Sequence, residues 1–147
     1  MSNSSPSIVI IGAGFGGLAA AIELTKAGYD DIVILEKGDD VGGVWRENTY
    51  PGAACDVPSP FYSYSFAPNP EWPQRYSPQP AILEYARQVS KDYDVRRHVR
   101  TGTAVASAEW DDATATWRIA CKDGSEYVAD VLVPAMGQLS RPANPRI

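Results

Sequence analysis

The feature that most constrains this fold is a cluster of four glycines inside a long apolar run. Residues 8–22 read IVIIGAGFGGLAAAI. A membrane span needs about 20 apolar residues, and Glu23 ends this run early. A signal peptide needs a basic segment ahead of its apolar region, but the first basic residue is Lys26. The run therefore predicts a buried strand at 8–11, a turn, and a helix over 15–27.

A second strand follows this helix and completes a βαβ unit. Gly28 is placed to stop the helix, and residues 32–35 read IVIL. Short β-branched runs are typical of buried parallel strands. A strand, a helix and a strand within about 30 residues predict a parallel pair joined by a right-handed crossover.

The glycines from Gly12 to Gly17 satisfy the pattern G-x-G-x-x-G at the turn of this unit. In this pattern Gly12 allows a tight turn, Gly14 lets the backbone approach a pyrophosphate, and Gly17 lets the helix pack against the strand. The helix N-terminus then binds the phosphates. Glu36 would accept hydrogen bonds from a ribose and disfavour a 2′-phosphate, which favours FAD or NAD over NADP. The alternative is that the glycines serve packing alone and Glu36 is a surface acid.

The segment 38–80 breaks the helical and strand periods. It contains eight of the 12 prolines and eight of the 15 aromatic residues. A loop of this length inside a domain is usually functional or disordered, and the aromatic density argues against disorder. We expect an ordered excursion that builds a site or covers a ligand.

The rest of the sequence, from residue 77 onward, predicts a helix, an antiparallel meander and one more buried strand. The helix is expected to begin with Ser77 as N-cap and Pro78 as its first residue, and to end near Tyr93. Three strand-like runs within 103–130 predict an antiparallel meander: 103–110, 115–121 and 125–129. Residues 130–136 predict a buried strand in which Pro134 deletes one ladder hydrogen bond. We expect the parallel sheet to have the order 3-2-1-4.

Composition excludes several function classes. The net charge of −5 argues against nucleic acids and anionic membranes as partners. The single histidine, His98, and the widely spaced Cys55 and Cys121 argue against a metal site and against a Ser-His-Asp triad. Two cysteines without a secretory segment are expected to be buried thiols in the cytoplasm.

Further motifs resemble a known family. Residues 40–45 read DVGGVW, 50–59 read YPGAACDVPS, and 62–66 read YSYSF. Together with the glycine motif they resemble the FAD-binding start of Baeyer–Villiger monooxygenases, within the wider class of flavin-containing monooxygenases. Residues 135–140 and Pro142 match the strand end beneath the flavin in that family. The resemblance covers nearly the whole chain and implies an α/β fold: a Rossmann-like, doubly wound parallel sheet of the glutathione-reductase type with an antiparallel β-meander.

The resemblance also implies roles for matching residues. Asp56 would lie beside the flavin and position an arginine that this chain lacks, which makes it the one catalytic candidate. Val105 would lie near the adenine, and Met136 stands where the family usually has Thr or Ser. The expected cofactor-binding residues are Gly12, Gly14, Phe15, Gly16, Gly17, Glu36, Lys37, Gly43, Val44, Trp45, Cys55, Asp56, Tyr62, Val105, Ala135, Met136 and Gly137.

Three of these residues have ordinary alternatives. Asp56 precedes Val57 and Pro58 and could simply stabilise a turn. Trp45 and Tyr62 could be core aromatics. The resemblance favours the functional interpretation for all three.

As a whole, residues 1–147 are expected to be a single, incomplete FAD-binding domain. The complete enzyme would use NADPH to reduce FAD and would insert one oxygen atom into a small ketone or oxidise a heteroatom. The NADPH domain, the arginine and the last strand of the FAD sheet would come from the remaining part of the same enzyme. The alternatives are a stand-alone, non-catalytic nucleotide-binding module and a small NAD-dependent oxidoreductase. Flavin absorbance would separate the NAD enzyme from the flavoprotein.

Overall fold

Two β-sheets, one parallel and one antiparallel, organise the chain in this computed structural model, which describes residues 5–140, 143 and 145. The helices are α1 (Phe15–Lys26), α2 (Val44–Glu47) and α3 (Gln79–Asp92), with 3₁₀ turns at Ser59–Phe61 and Val95–His98. The strands are β1 (Ile8–Ile11), β2 (Ile32–Leu35), β3 (Val99–Arg100), β4 (Val105–Asp111), β5 (Thr116–Cys121), β6 (Glu126–Ala129) and β7 (Val131–Pro134).

The parallel sheet has the order β3-β2-β1-β7, and the antiparallel sheet has the order β4-β5-β6. In the parallel sheet Ile8 of β1 pairs with Ile32 of β2 on one side and with Val131 of β7 on the other. Counted along the chain, the parallel strands lie in the order third, second, first and fourth. This confirms the predicted Rossmann-like sheet, its strand order and the antiparallel meander.

The parallel sheet is covered on both faces, which explains why its strands are apolar throughout. Ile8 and Ile10 of β1 join Leu18 of α1 in the larger hydrophobic cluster, to which α3 also contributes. Val9 points to the opposite face and joins Ile119 of the meander in a second cluster. Burying each such side chain stabilises the fold by roughly 1.5–3 kcal/mol.

The excursion over 38–80 is ordered against the helices. The Tyr64 hydroxyl donates to the Phe15 carbonyl oxygen over 2.7 Å, and the Tyr85 hydroxyl donates to the Ala67 carbonyl oxygen over 2.7 Å. Tyr64 also stacks on Phe66 with ring centroids 4.9 Å apart. Burial raises the pKa of the Tyr64 phenol, so that it stays a hydrogen-bond donor at neutral pH. The prolines and aromatics of this segment therefore build a packed layer.

The predicted N-cap of α3 is wrong. The helix begins at Gln79 with Pro78 at its N-cap, and no side chain caps it. Ser77 is instead fully buried, and its hydroxyl lies 2.7 Å from the hydroxyl of Ser59. Ser77 therefore ties the end of the excursion to its middle.

Two predicted strand boundaries also need correction. The meander begins at Val105 because the Thr103 N–H donates to the Glu36 carbonyl oxygen over 2.8 Å, next to the parallel sheet. The last strand ends at Pro134. At its two ends, the Val131 N–H donates to the Ser7 carbonyl oxygen over 3.0 Å, and the Ala135 N–H donates to the Ile11 carbonyl oxygen over 2.9 Å, both on the β1 side. Since alternate N–H groups of a strand point to opposite sides, Pro134 directs its nitrogen away from β1. Pro134 therefore deletes no hydrogen bond of the β1–β7 ladder.

The two cysteine thiols and the imidazole of His98 are buried. Cys55 and Cys121 are both buried free thiols, as predicted. His98 is buried, with Nδ1 2.9 Å from the Ile32 carbonyl oxygen. Among the described residues there is no group of three His, Cys, Asp or Glu side chains that could hold a metal ion. Nor does any helix in this part of the chain have the length and apolarity to cross a membrane.

The close approach of α1 to β1 gives a first prediction. A Cβ atom at position 17 would lie 1.9 Å from the Gly12 carbonyl oxygen. Gly17→Ala is therefore expected to lower the free energy of unfolding by about 1–3 kcal/mol, the usual cost of overpacking. Gly16→Ala is the matched control, because a Cβ there would meet only the Ala135 Cβ at 3.9 Å. Urea denaturation measures both variants, and equal stability of the two would contradict this account of the packing.

Candidate nucleotide-binding site

The candidate site lies where the parallel strands end. The turn after β1, the residues after β2 and the residues after β7 meet at one edge of the sheet because parallel strands direct their carboxyl ends the same way. Together with α2 they surround a cleft of about 270 Å³. This volume is below the roughly 300–1,000 Å³ of complete ligand pockets. Its lining residues are Gly12, Gly14, Phe15, Gly16, Glu36, Lys37, Gly42, Gly43, Val44, Trp45, Glu47, Tyr62, Ala135, Met136, Gly137 and Ser140.

The glycine turn leaves the start of α1 free to bind an anion. Gly12 has φ +99°, and a Cβ there would lie 2.8 Å from the Ala135 carbonyl oxygen. The first hydrogen bond of α1 runs from the Leu18 N–H to the Gly14 carbonyl oxygen over 3.0 Å. The preceding N–H groups, from Phe15 to Gly17, have no acceptor among the described residues. Such free N–H groups and the helix dipole favour a phosphate.

Glu36 is a buried, hydrogen-bonded carboxylate at the same cleft. It is 3% exposed, so that the alternative of a surface acid is wrong. Its Oε2 accepts the Ala13 N–H over 2.7 Å. Its Oε1 accepts the Gly38 N–H over 2.8 Å and Nη1 of Arg46 over 3.0 Å. A buried carboxylate needs such partners, and these three donors occupy three of its acceptor positions.

A second, partly exposed charge network anchors the loop before the cleft. Asp40 accepts Nε of Arg87 over 2.8 Å, Nη2 of Arg96 over 2.7 Å and the Val41 N–H over 2.8 Å. Burial alone would raise the pKa of Asp40, but these hydrogen bonds and the Arg96 charge outweigh it and lower that pKa. The network joins the loop that leads to Gly42 to α3 and to the following 3₁₀ turn.

The far side of the cleft is aromatic. Nε1 of Trp45 donates to the Tyr62 hydroxyl over 2.9 Å, and the two rings meet edge to face at 5.5 Å. The Gln79 side-chain amide donates to the Trp45 carbonyl oxygen. Burial raises the pKa of the Tyr62 phenol, with smaller contributions from Cys55 and Asp56. Trp45 and Tyr62 therefore form a neutral, fixed wall.

The structure brings most of the predicted cofactor-binding residues into this one cleft, although four lie outside it. Gly17 lies beneath the turn against Gly12. Cys55 is buried and its Sγ accepts the Val57 N–H over 3.4 Å. Asp56 is exposed close to Tyr62, and Val105 packs against the meander cluster. The roles of all four stay predictions, and Pro142 lies outside the described residues.

Three residues of the cleft were not predicted. Gly42 belongs to the motif DVGGVW, and Ser140 ends the segment 135–140 that matches the family, so membership of these motifs was the available signal. Glu47 is brought to the cleft by α2, and it forms an ion pair of 2.9 Å with Lys37. No sequence motif marks Glu47, because its place depends on the short helix.

The parallel sheet, the glycine turn and the buried acid define a dinucleotide-binding domain of the Rossmann type. Residues 10–77 match the family described as "NAD(P)-binding Rossmann-like domain". A Baeyer–Villiger monooxygenase of Streptomyces coelicolor is 47% identical over 140 residues, which cover 95% of this chain and 27% of the relative. A Baeyer–Villiger monooxygenase of Pseudomonas aeruginosa is 42% identical over the same shares.

Solved structures agree with these relatives. A steroid monooxygenase bound to NADP superposes with a TM-score of 0.89 at 39% identity, over 97% of this chain and 28% of that one. An open cyclohexanone monooxygenase structure gives a TM-score of 0.88 at 38% identity, over 98% and 29%. Over nearly its whole length the chain is similar to Baeyer–Villiger monooxygenases. It spans about a quarter of the length of the relatives it matches.

The Asp40 network gives a second prediction. Asp40→Asn is expected to lower the free energy of unfolding by about 1 kcal/mol at pH 7, since both arginines are partly exposed. The pKa of Asp40 is lowered from its usual value of 3.8. Its stabilisation is therefore complete well above pH 3.8 and is lost as the pH falls through the lowered pKa.

Urea denaturation of both proteins between pH 7 and about pH 2 measures this difference. Asp123 and Asp130, whose pKa values are also lowered, are present in both proteins and cancel. If the difference in the free energy of unfolding between the wild type and Asp40→Asn stayed constant down to the lowest pH, this result would contradict the ion pairs of Asp40.

Proposed function

We propose that this chain is the FAD-binding segment of an NADPH-dependent flavoprotein monooxygenase that inserts one oxygen atom into ketones or oxidises heteroatoms. The observation that carries the proposal is the convergence of the free α1 N-terminus and the buried Glu36 on one cleft. A relative in Aspergillus niger, named an FAD-binding monooxygenase, is 38% identical over 152 residues. A further solved relative, 33% identical, is described as a complex with FAD and NADP.

The described residues fit the adenosine diphosphate half of FAD. The N–H groups from Phe15 to Gly17 provide donors for the pyrophosphate, and Glu36 provides an acceptor for a ribose hydroxyl. A 2′-phosphate would meet the carboxylates of both Glu36 and Glu47 at this cleft. Like charges at short range disfavour that ligand, so the cleft suits FAD better than NADP.

The flavin half of FAD would lie along the aromatic side of the cleft. Bound FAD supplies the activation of oxygen, and the protein supplies binding and orientation. Val44 and Trp45 of α2 would run beside the ribityl chain and the ring, and the hydrogen bond from Trp45 to Tyr62 would hold that wall in place. Both groups are uncharged, which suits an apolar ring.

Asp56 is the one catalytic candidate of this chain. Its exposed side chain, close to Tyr62, is accessible to a residue outside the described part of the chain. We propose that Asp56 positions an arginine supplied by another segment of the complete enzyme, as the resemblance implies. Binding of NADPH and of the ketone or heteroatom substrate would also depend on other segments.

The NAD-dependent oxidoreductase is the weaker alternative. Hydride transfer commonly uses a histidine as acid or base, and the sequence has a single histidine, His98. His98 contacts Ile32, the first residue of β2, whereas the cleft lies beyond the last residue of that strand. A stand-alone, non-catalytic nucleotide-binding module would use the same cleft and differs in having no catalytic partner segment.

The ribose assignment gives a third prediction. Glu36→Ala is expected to weaken FAD binding by roughly 1–3 kcal/mol, because a ribose hydroxyl loses its charged acceptor. Calorimetric titration with FAD measures the affinity. Glu109→Ala, which removes an exposed carboxylate on the meander, is the matched control. Unchanged FAD affinity in Glu36→Ala would show that the ribose lies elsewhere.

The proposal that other segments of the complete enzyme bind NADPH and substrate gives a fourth prediction. We expect the 147-residue chain to bind FAD weakly and to form no lactone from a cyclic ketone with NADPH and oxygen. Because an open cleft admits water, reduced flavin should release hydrogen peroxide instead. Gas chromatography of the product and a peroxide assay measure the two outcomes. Lactone formation coupled to NADPH oxidation at enzyme-like rates would mean that the chain contains a complete site.

A further inference from the structure

Arg46 links the buried acid of the cleft to two other groups. Its side chain is 13% exposed, and Nη1 donates to both Oε1 of Glu36 and the Asp40 carbonyl oxygen. Its Nη2 donates to the Glu47 carboxylate over 3.2 Å. We propose that Arg46 is a positioning residue for nucleotide recognition, which orients Glu36 so that one acceptor position on Oε2 is left for the ribose. The inference rests on the proposed function, because it specifies how Glu36 binds FAD.

The hydrogen-bond count supports this assignment. A carboxylate has about four acceptor positions, two on each oxygen. Oε1 of Glu36 accepts from Gly38 and Arg46, which uses both of its positions. Oε2 accepts from Ala13, and no other donor among the described residues reaches it. Glu36 can therefore bind a single ribose hydroxyl through Oε2, and binding two hydroxyls would require the loss of the Arg46 hydrogen bond.

The backbone at position 38 is adapted to the guanidinium group. A Cβ on Gly38 would lie 2.1 Å from Cζ of Arg46, which means that any larger residue displaces Arg46 from Glu36. A planar guanidinium can also donate to two acceptors in fixed directions, which an ammonium group cannot do equally well. Both observations indicate a position built for arginine rather than for any cation.

The same contacts decide nucleotide specificity. An arginine near the ribose site commonly binds the 2′-phosphate of NADP. In this chain, however, Arg46 is surrounded by acids: Glu36, Glu47 and, at 3.8 Å, Asp39. Three of its five N–H donors are already used, and the carboxylates around it repel a phosphate. The presence of Arg46 therefore supports FAD and does not open the cleft to NADP.

The position of Arg46 in the chain connects the two halves of the cleft. It lies on α2 directly after Val44 and Trp45, which line the proposed flavin side. Its guanidinium contacts Glu36, on the proposed adenosine side. The hydrogen bond between Arg46 and Glu36, which we call the clamp, thus fixes the distance between the ribose acceptor Glu36 and the wall of Trp45 and Tyr62. We expect its loss to weaken FAD binding through Glu36 and not through general unfolding.

A double-mutant cycle tests the clamp. Arg46→Met should weaken FAD binding about 10- to 100-fold in the wild-type background, the range for losing a hydrogen bond to a charged group. In the Glu36→Ala background the same substitution should change the affinity less than about threefold, since the residue it orients is gone. Arg118→Met is the matched control, because Arg118 is exposed and reaches only Asp111 at 3.7 Å. Equal losses in both backgrounds would overturn the proposal.

Two further variants separate orientation from charge. Gly38→Ala keeps every charge but displaces the guanidinium, so it should weaken FAD binding in the same direction as Arg46→Met. Arg46→Lys keeps the positive charge but lacks the planar guanidinium. It should therefore bind FAD more tightly than Arg46→Met and less tightly than the wild type. If Gly38→Ala bound FAD as tightly as the wild type while its Arg46 contact was lost, orientation of Glu36 would not matter for binding.

A readout without FAD distinguishes this inference from the proposed function. The Ala13 and Gly38 N–H groups both donate to Glu36, so their NMR resonances in the unliganded chain report the carboxylate position. Arg46→Met should shift both resonances, and Arg118→Met should shift neither. A wild-type chain that fails to bind FAD contradicts the proposed function alone. An Ala13 resonance that is unchanged by Arg46→Met contradicts the clamp, whatever the affinity for FAD.

Discussion

The contact between α1 and β1 at the glycine turn is the constraint on which the rest of the structure depends. Gly17 lies so close to the Gly12 carbonyl oxygen that no side chain fits between them. This approach places the N-terminus of α1 over the end of β1 and directs its unpaired N–H groups into the cleft. It also brings Ala13 within reach of Glu36 after β2. Packing and anion recognition therefore arise from the same few atoms, and neither can be changed alone.

Charge burial connects the cleft to the long excursion. A buried carboxylate such as Glu36 is costly unless donors surround it, and two of its three donors, Gly38 and Arg46, come from the excursion. Asp40 then attaches the same loop to Arg87 and Arg96. The excursion consequently folds as part of the binding site, although it lacks regular periodicity. Its order follows from these ion pairs as well as from its aromatic packing.

The parts predicted from the sequence are those set by local pattern. The βαβ unit and the glycine turn follow from apolar runs and spacing that short segments carry by themselves. The errors involve partners distant in the chain: Ser77 bonds Ser59 instead of capping α3, and Pro134 directs its nitrogen away from β1. Arg46 escaped sequence analysis for the same reason, since its role depends on Glu36 ten positions earlier. The family motifs located most of the cleft, yet they could not reveal which oxygen of the Glu36 carboxylate keeps an acceptor position.

The two sides of the cleft differ in a way that separates recognition from reactivity. On the proposed adenosine side, Glu36 and Arg46 are almost fully buried and bonded to each other, so the proposed preference for a ribose without a 2′-phosphate rests on residues of this chain. On the flavin side the wall of Trp45 and Tyr62 is fixed, but Met136 beside it remains 57% exposed. A reactive flavin requires exclusion of water, and a surface as open as that around Met136 cannot provide it. We therefore propose that selection of the cofactor and protection of its chemistry belong to different segments of the complete enzyme, since this chain spans about a quarter of the relatives it matches.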